Sequence, residues 1–313
     1  MSTLEKMQPL VILSAMMIGF FLSKIALFTT YAPLFLLLFL FFMMHGLFLD
    51  VSFKETKTAL SHKGFLISAL ILNFIVGPLV AYGIGRIFLD EEPFIFLGFL
   101  MLVVTPCTDW YLLFTKLAKG NVPLAASLLP VNLLLQIAFL PFYLYLFSGV
   151  RGTFSISMLL ESIFYMFLLP SLLAIIIKRR KGRVVQKWRA FFTSNGILFL
   201  SLAVMMMFTS EGSYLSRHFS VLYVLLLPLL VFFTIAFLAV FLISKVLRFK
   251  TCDRVSLHFI TLARNSPLAL AMAATAFENQ PEVSLALVLG PLIELPLLAF
   301  VAYLLLHGKE YHR

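Results

Sequence analysis

Long unbroken apolar runs separated by short polar loops set the pattern of this chain. A run of about 17 to 25 residues crosses a bilayer as a helix. Ten such runs lie near Leu10–Phe28, Ala32–Leu49, Gly64–Phe88, Pro93–Phe114, Val122–Phe147, Phe154–Ile177, Phe191–Thr209, Val221–Ser244, Leu257–Phe277 and Val283–Leu306. They are continuous rather than alternating, which excludes the strands of a membrane β-barrel. The pattern therefore predicts an all-α integral membrane protein of ten transmembrane helices.

Basic residues orient the spans, because short cytoplasmic loops collect Lys and Arg. The loops after even-numbered spans hold Lys54, Lys57 and Lys63, then Lys116 and Lys119, the run from Lys178 to Arg189, then Lys245, Arg248, Lys250 and Arg254, and finally Lys309 and Arg313. Loops after odd-numbered spans hold only Lys24, Arg86, Arg151 and Arg217, beside Asp90, Glu91, Glu92, Glu278 and Glu282. Both termini are thus expected in the cytoplasm and the protein in the cell's inner membrane.

An odd number of spans in each half makes the second half enter the membrane from the opposite face, so the spacing predicts a five-plus-five inverted repeat. Residues 1–150 form the first repeat, 151–190 the sixth span with a basic loop, and 191–313 the remainder. Corresponding spans carry corresponding prolines. Gly77-Pro78 in span 3 matches Leu227-Pro228 in span 8, and Pro130 and Pro141 in span 5 match Pro291 and Pro296 in span 10.

Composition sharpens this reading without changing it. The mean hydropathy is +1.04, and 12% of residues are charged, against roughly a quarter in a soluble domain. The formal net charge of +10 reads as a topology signal and an attraction to anionic lipid headgroups, with Lys178 to Arg189 a solvated connecting loop and inner-leaflet anchor. Nucleic-acid binding is a poor reading of it. The first apolar run is long enough to remain as a span rather than serve as a cleaved signal. Cys107 falls in a span and Cys252 in a basic loop, so no disulfide between them is expected.

Two spans are broken by polar residues beside proline: Thr105-Pro106-Cys107-Thr108-Asp109 in span 4 and Arg264-Asn265-Ser266-Pro267 in span 9. Asp109 and Arg264 lie 155 residues apart, at matching places in the two halves. Ionisable residues at such depth cost several kcal/mol and mark functional or paired groups. Proline removes a backbone donor and disrupts the preceding turn, and irregular backbone is tolerated only under protein or in a wet cavity. Paired interruptions of this kind point to a solute site at the bilayer midplane, where Asp109, Arg264, Cys107 and Asn265 are expected to converge, with Asp109 and Arg264 as an ion pair. Asn73, Asn132, Gln136, Thr105, Thr108 and Ser266 are candidates for the cavity lining, and helix-to-helix hydrogen bonds are the alternative for them. His45 reads as interfacial.

Direct ATP use is not indicated, since no phosphate-binding Gly-rich loop with Lys-Ser/Thr is present. An intramembrane aspartyl protease needs two intramembrane Asp residues, and only Asp109 qualifies; His-Glu-x-x-His is absent. A secondary transporter without a cofactor remains the leading class. A receptor has no positive support.

Over nearly its whole length the chain resembles the bile acid/arsenite/riboflavin transporter superfamily. Met44-His45-Gly46-Leu47-Phe48-Leu49 with Phe53, and Leu117-Ala118-Lys119-Gly120-Asn121, are similar to the bile acid/sodium symporter branch. Pro106-Cys107-Thr108 and Ile293-Glu294-Leu295-Pro296 are similar to the arsenite efflux permeases, in which the resemblance implies that Cys and Glu are needed for transport. It also implies broken helices 4 and 9 crossing at the midplane, and a core domain of spans 3–5 and 8–10 moving against a panel of spans 1, 2, 6 and 7. The sodium-coupled branch places a carboxylate and an amide where this chain has Ile260 and Arg264, neither of which ligates a hard cation. Leu268 stands where arsenite permeases often carry a further Glu.

From these residues the expected function is efflux of trivalent arsenic or antimony, driven by the proton gradient or the membrane potential. Cys107 then serves as a soft ligand to the transported metalloid; its bland alternative is a small buried span residue. Glu294 serves as a proton-gaining coupling group, or else as a fixed partner of Arg264 or of a freed helix-end amide. The alternative function is proton-coupled, or less readily sodium-coupled, carriage of a small organic anion with Arg264 as its counter-charge.

Overall fold

In a computed structural model, residues 8–50, 61–107, 110–147, 161, 163–180, 182–217, 220–277 and 279–307 are described. Among these, every regular element is helical. In chain order they are α1 Gln8–Leu22, α2 Ala26–Asp50, α3 Lys63–Phe88, α4 Pro93–Val103, α5 Trp110–Leu117, α6 Val122–Phe147, α7 Leu169–Arg179, α8 Arg183–Ser194, α9 Gly196–Arg217, α10 Ser220–Val246, α11 Thr251–Leu262, α12 Ser266–Ala276 and α13 Pro281–His307. Six are long and apolar enough to cross a membrane: α2, α3, α6, α10, α13 and the Gly196–Ser213 part of α9.

The predicted spans 4 and 9 are not single helices. Span 4 is α4 followed by α5, and span 9 is α11 followed by α12. At 1.5 Å per residue, the 11 residues of α4 reach about 16 Å, half of a bilayer's hydrocarbon core. Each half-helix therefore ends in mid-span, where the sequence places its prolines and polar residues.

The chain divides into two compact units, one of Met1–Val51, Gly152–Val221 and Leu270–Val288, the other of Ser52–Arg151, Leu222–Ala269 and Leu289–Arg313. In the first, α9 packs against α1 and α2, and α2 also meets α7 and α8. Small residues permit the closest approaches, as is usual between membrane helices. A Cβ on Gly19 would sit 2.3 Å from the Met205 carbonyl oxygen, and one on Gly46 would sit 2.6 Å from that of Phe192.

One reading of this unit is corrected. The stretch after Lys178 is not simply a solvated loop: Arg183–Ser194 folds into α8, because Trp188 and Phe192 repeat at helical spacing between Arg183, Lys187 and Arg189. His45, read as interfacial, is packed within the protein at 3% exposure. Its Nδ1 lies 3.1 Å from the Pro170 carbonyl, and its Nε2 accepts the Trp188 indole N–H at 3.4 Å. A ring with two polar neighbours can be buried without stranding either nitrogen.

In the second unit, α11 packs against α3, α5 and the start of α6, and α4 against the second half of α3. Pro78 shapes α3. Its ring supplies no N–H to the Phe74 carbonyl and would crowd that oxygen, and the helix widens into a π turn over Leu72–Val76. The displaced Phe74 carbonyl accepts the Tyr143 hydroxyl of α6 at 2.6 Å, so the defect fastens two helices together. A second π turn, Phe164–Leu168, immediately precedes Pro170 in the first unit, the same response to the same residue.

Candidate functional site

The two breaks meet inside the second unit. Pro106 and Arg264 form an isolated antiparallel bridge: the Cys107 amide donates to the Ala263 carbonyl at 2.9 Å, and the Asn265 amide donates to the Thr105 carbonyl at 2.8 Å. Two interrupted helices thus satisfy each other's unwound backbone, which stranded in a bilayer would cost several kcal/mol per group. Thr105 Oγ1 bonds back to the carbonyls of Met101 at 2.9 Å and Leu102 at 3.0 Å, closing the last turn of α4.

Short polar side chains cap the helices that leave the crossing. Asn265 Oδ1 accepts the Leu268 amide at 3.2 Å, an N-cap for α12, which begins at the buried Ser266. Cys107 Sγ accepts the Trp110 amide at 3.2 Å, performing the same task for α5. The thiol is therefore both a cap and a soft donor, at 4% exposure. Asp109 and Thr108 lie outside the described residues, and so does the expected Asp109–Arg264 pair.

Arg264 is buried at 1% exposure, and its groups face three ways. Its backbone N–H, just past the end of α11, donates to Glu294 Oε1 at 2.8 Å. Its guanidinium Nη2 donates to the Thr261 carbonyl one turn earlier. The Cζ atom stands 5.0 Å from the centre of the Phe232 ring of α10, a cation–π contact in a desolvated setting, where such contacts contribute about 2 kcal/mol. Glu294, 2% exposed, thus holds the freed helix-end amide of Arg264 rather than making a side-chain ion pair; among the described residues no carboxylate lies within salt-bridge distance of the guanidinium.

Beside the guanidinium is a cavity of about 10 Å³ lined by Leu72, Val76, Gly77 and Val80 of α3, Phe232, Ile235, Ala236 and Ala239 of α10, and Thr261 and Arg264. Space of that size admits about one water molecule. Of the other expected lining residues, Asn73 is buried and donates from Nδ2 to the Ile260 carbonyl at 3.3 Å, tying the π turn to α11. Asn132 and Gln136 are buried one turn apart on α6, and their side-chain atoms have no hydrogen-bond partner among the described residues. Neither lines this cavity.

Reading the sequence for site residues passed over Thr261 and Phe232. Thr261 stands three residues before Arg264 on a helical stretch, a spacing that puts both on one face. Phe232 gave no local signal, because its role depends on which helix packs against the break. A further link also escaped notice: Asn121 Nδ2 donates to Asp253 Oδ1 at 2.7 Å, and Ser256 Oγ donates to the Asn121 carbonyl at 3.1 Å, clasping the start of α6 to α11. Neither Cys107 nor Cys252 is in a disulfide.

Comparison with known proteins supplies a family and relatives. The model of the Sodium Bile acid symporter family matches residues 37–218, more than half of the chain. An arsenical-resistance protein, Acr3, of Corynebacterium glutamicum is 25% identical over 97% of this chain and 89% of its own length. The protein YbaS of Bacillus subtilis is 27% identical over 82% of this chain and 84% of its own. A transporter of Synechocystis sp. is 22% identical over 83% of this chain and 74% of its own.

Proposed function

The chain belongs to the Sodium Bile acid symporter family, and from that premise we propose that this membrane transporter exports trivalent arsenic or antimony across the cell membrane. The observation that carries the reading is the position of Cys107: a buried thiol at the crossing of two broken helices. The name of the Corynebacterium relative, an arsenical-resistance protein, supports the same cargo. Arsenous acid exchanges one hydroxyl for the thiol, an As–S bond forming as an As–O bond breaks, and the thiol proton leaves with the hydroxyl as water. One thiolate holds a soft metalloid less firmly than three, which suits a carrier that must release its load.

The drive is the proton gradient or the membrane potential. Sodium coupling is disfavoured by residue type, since Ile260 and Arg264 offer no oxygen ligands from their side chains where the resemblance places a carboxylate and an amide. Glu294 is the proton-exchanging group: while it holds the Arg264 amide the crossing is latched, and its protonation loosens the latch. Spans 3–5 and 8–10 form the moving core, spans 1, 2, 6 and 7 the panel, ten spans in all as a five-plus-five inverted repeat with both termini in the cytoplasm. Asp109 is a further charge of the site and the expected counter-charge of Arg264, so that a proton or anion competing for either one biases inward-facing against outward-facing states.

Carriage of a small organic anion with Arg264 as its counter-charge is the second reading. The discriminating experiment is growth of a metalloid-sensitive bacterial host on arsenite, expressing wild type or Cys107→Ser. Protection by the wild type and its loss with serine supports efflux through the thiol. No protection by the wild type removes the arsenite reading and favours the organic anion.

A further inference from the structure

The cavity beside Arg264 combines three features that the binding of arsenic by the Cys107 thiol does not use. It contains a fixed cation, since a guanidinium stays protonated under all ordinary conditions. Nε and Nη1 of that guanidinium have no hydrogen-bond partner among the described residues, although Arg264 is 1% exposed. The Thr261 hydroxyl, on a residue 2% exposed, also has no partner there, and Thr261 and Arg264 are the polar members of the lining. A buried charged donor left unmatched is among the costliest defects a protein can carry.

The remaining walls are hydrocarbon and aromatic: Leu72, Val76 and Val80 on the π-turned helix, Phe232, Ile235 and Ala236 on α10. The carboxylate nearest in the chain's bonding pattern, Glu294, does not line the cavity, and its Oε1 is engaged by the Arg264 backbone amide. The cavity therefore presents donors and positive charge on one side and apolar surface on the other. Its volume, about 10 Å³, suits a small occupant, and a monatomic anion is smaller than phosphate, sulfate or a carboxylate. A monatomic anion that sheds its hydration readily fits all three conditions, whereas a strongly hydrated one such as fluoride does not fit the apolar walls.

We propose that this cavity is a halide site, in which chloride is held by the Arg264 guanidinium N–H groups and the Thr261 hydroxyl between the π turn of α3 and α10. Chloride there neutralises the arginine while Glu294 remains committed to the backbone of the break. The site gives the Nε and Nη1 groups of the guanidinium, unmatched among the described residues, an acceptor. It also makes the stability of the helix crossing depend on the anion present.

The test uses the purified full-length protein in detergent, prepared in gluconate and titrated with chloride, bromide or further gluconate at constant ionic strength. Chloride and bromide are expected to raise the unfolding temperature saturably by several degrees, and gluconate to leave it unchanged. Thr261→Val, which keeps the volume and removes one donor, is expected to shift the chloride midpoint about tenfold upward. A response that does not saturate, or that gluconate matches, overturns the site, as does a midpoint unchanged by Thr261→Val. Should that variant not fold, the anomalous scattering of bromide in wild-type crystals decides: a peak in contact with Arg264 sustains the site, and a peak elsewhere or none overturns it. No arsenic enters the experiment, so its outcome is independent of the cargo proposed above.

Discussion

Replacing Glu294 separates its two tasks, holding a backbone amide and carrying a proton. Its Oε1 accepts the Arg264 N–H at 2.8 Å in a site where Glu294 is 2% exposed, and a hydrogen bond to an ionised group contributes about 1.5–3 kcal/mol against about 1 kcal/mol for a neutral one. Glu294→Gln keeps a carbonyl oxygen at the same reach, so the hydrogen bond itself weakens by about 1 kcal/mol. Glu294→Leu strands the amide, at a further cost of about 1–3 kcal/mol; the carboxylate's charge is lost in both variants and does not separate them. The expected order of stability is wild type, then Gln, then Leu. Thermal unfolding followed through Trp110 and Trp188, the two tryptophans of the chain, reads one in each compact unit. In proteoliposomes, Glu294→Gln is expected to bind arsenite but to lose its acceleration by an imposed pH gradient. Equal stability of the Gln and Leu variants would refute the latch, and a Gln variant still driven by the pH gradient would refute the proton role.

Other residues yield sharper contrasts between folding and transport. Cys107→Ser is expected to retain stability, because serine caps α5 at least as well as a thiol, whereas Cys107→Ala loses about 1 kcal/mol of capping; both lose arsenite efflux measured in everted vesicles. Gly46→Ala drives a methyl group to 2.6 Å from the Phe192 carbonyl and is expected to destabilise by about 1–3 kcal/mol, read as an unfolding shift reported by Trp188 on the adjoining helix. Cys252 is held above the usual thiol range by burial and then by the adjacent Asp253, so the thiolate is scarce near neutrality and becomes abundant only as pH rises past that raised value. Alkylation of Cys252 is therefore expected to be slow at neutral pH and to accelerate in alkali, and Cys252→Ser to leave efflux unchanged.

The long spans were legible because an apolar run of bilayer length has few other uses. Val122–Phe147 was read to the residue, Gly64–Phe88 falls one residue short of α3, and Val221–Ser244 falls three short of α10. The breaks were legible too, since proline beside polar residues in mid-span leaves backbone that must be satisfied elsewhere. That the two breaks would meet followed from their matching positions in the two halves; that they satisfy each other's backbone, Cys107 to Ala263 and Asn265 to Thr105, did not. Local pattern could not reveal what depends on helix packing: Phe232 under the guanidinium, Tyr143 on the carbonyl freed by Pro78, or His45 buried against Trp188. Glu294 illustrates the limit well. Its burial was legible in Glu-Leu-Pro within an apolar run, but its partner, a backbone amide rather than a guanidinium, is fixed only by the depth at which span 10 passes the break.

The most direct test of the account is X-ray absorption at the arsenic edge on the Cys252→Ser protein incubated with arsenite. One sulfur and two oxygens around arsenic, with the sulfur lost in a further Cys107→Ser change, is the result predicted. An arsenic shell of oxygens alone in the presence of Cys107 would contradict it.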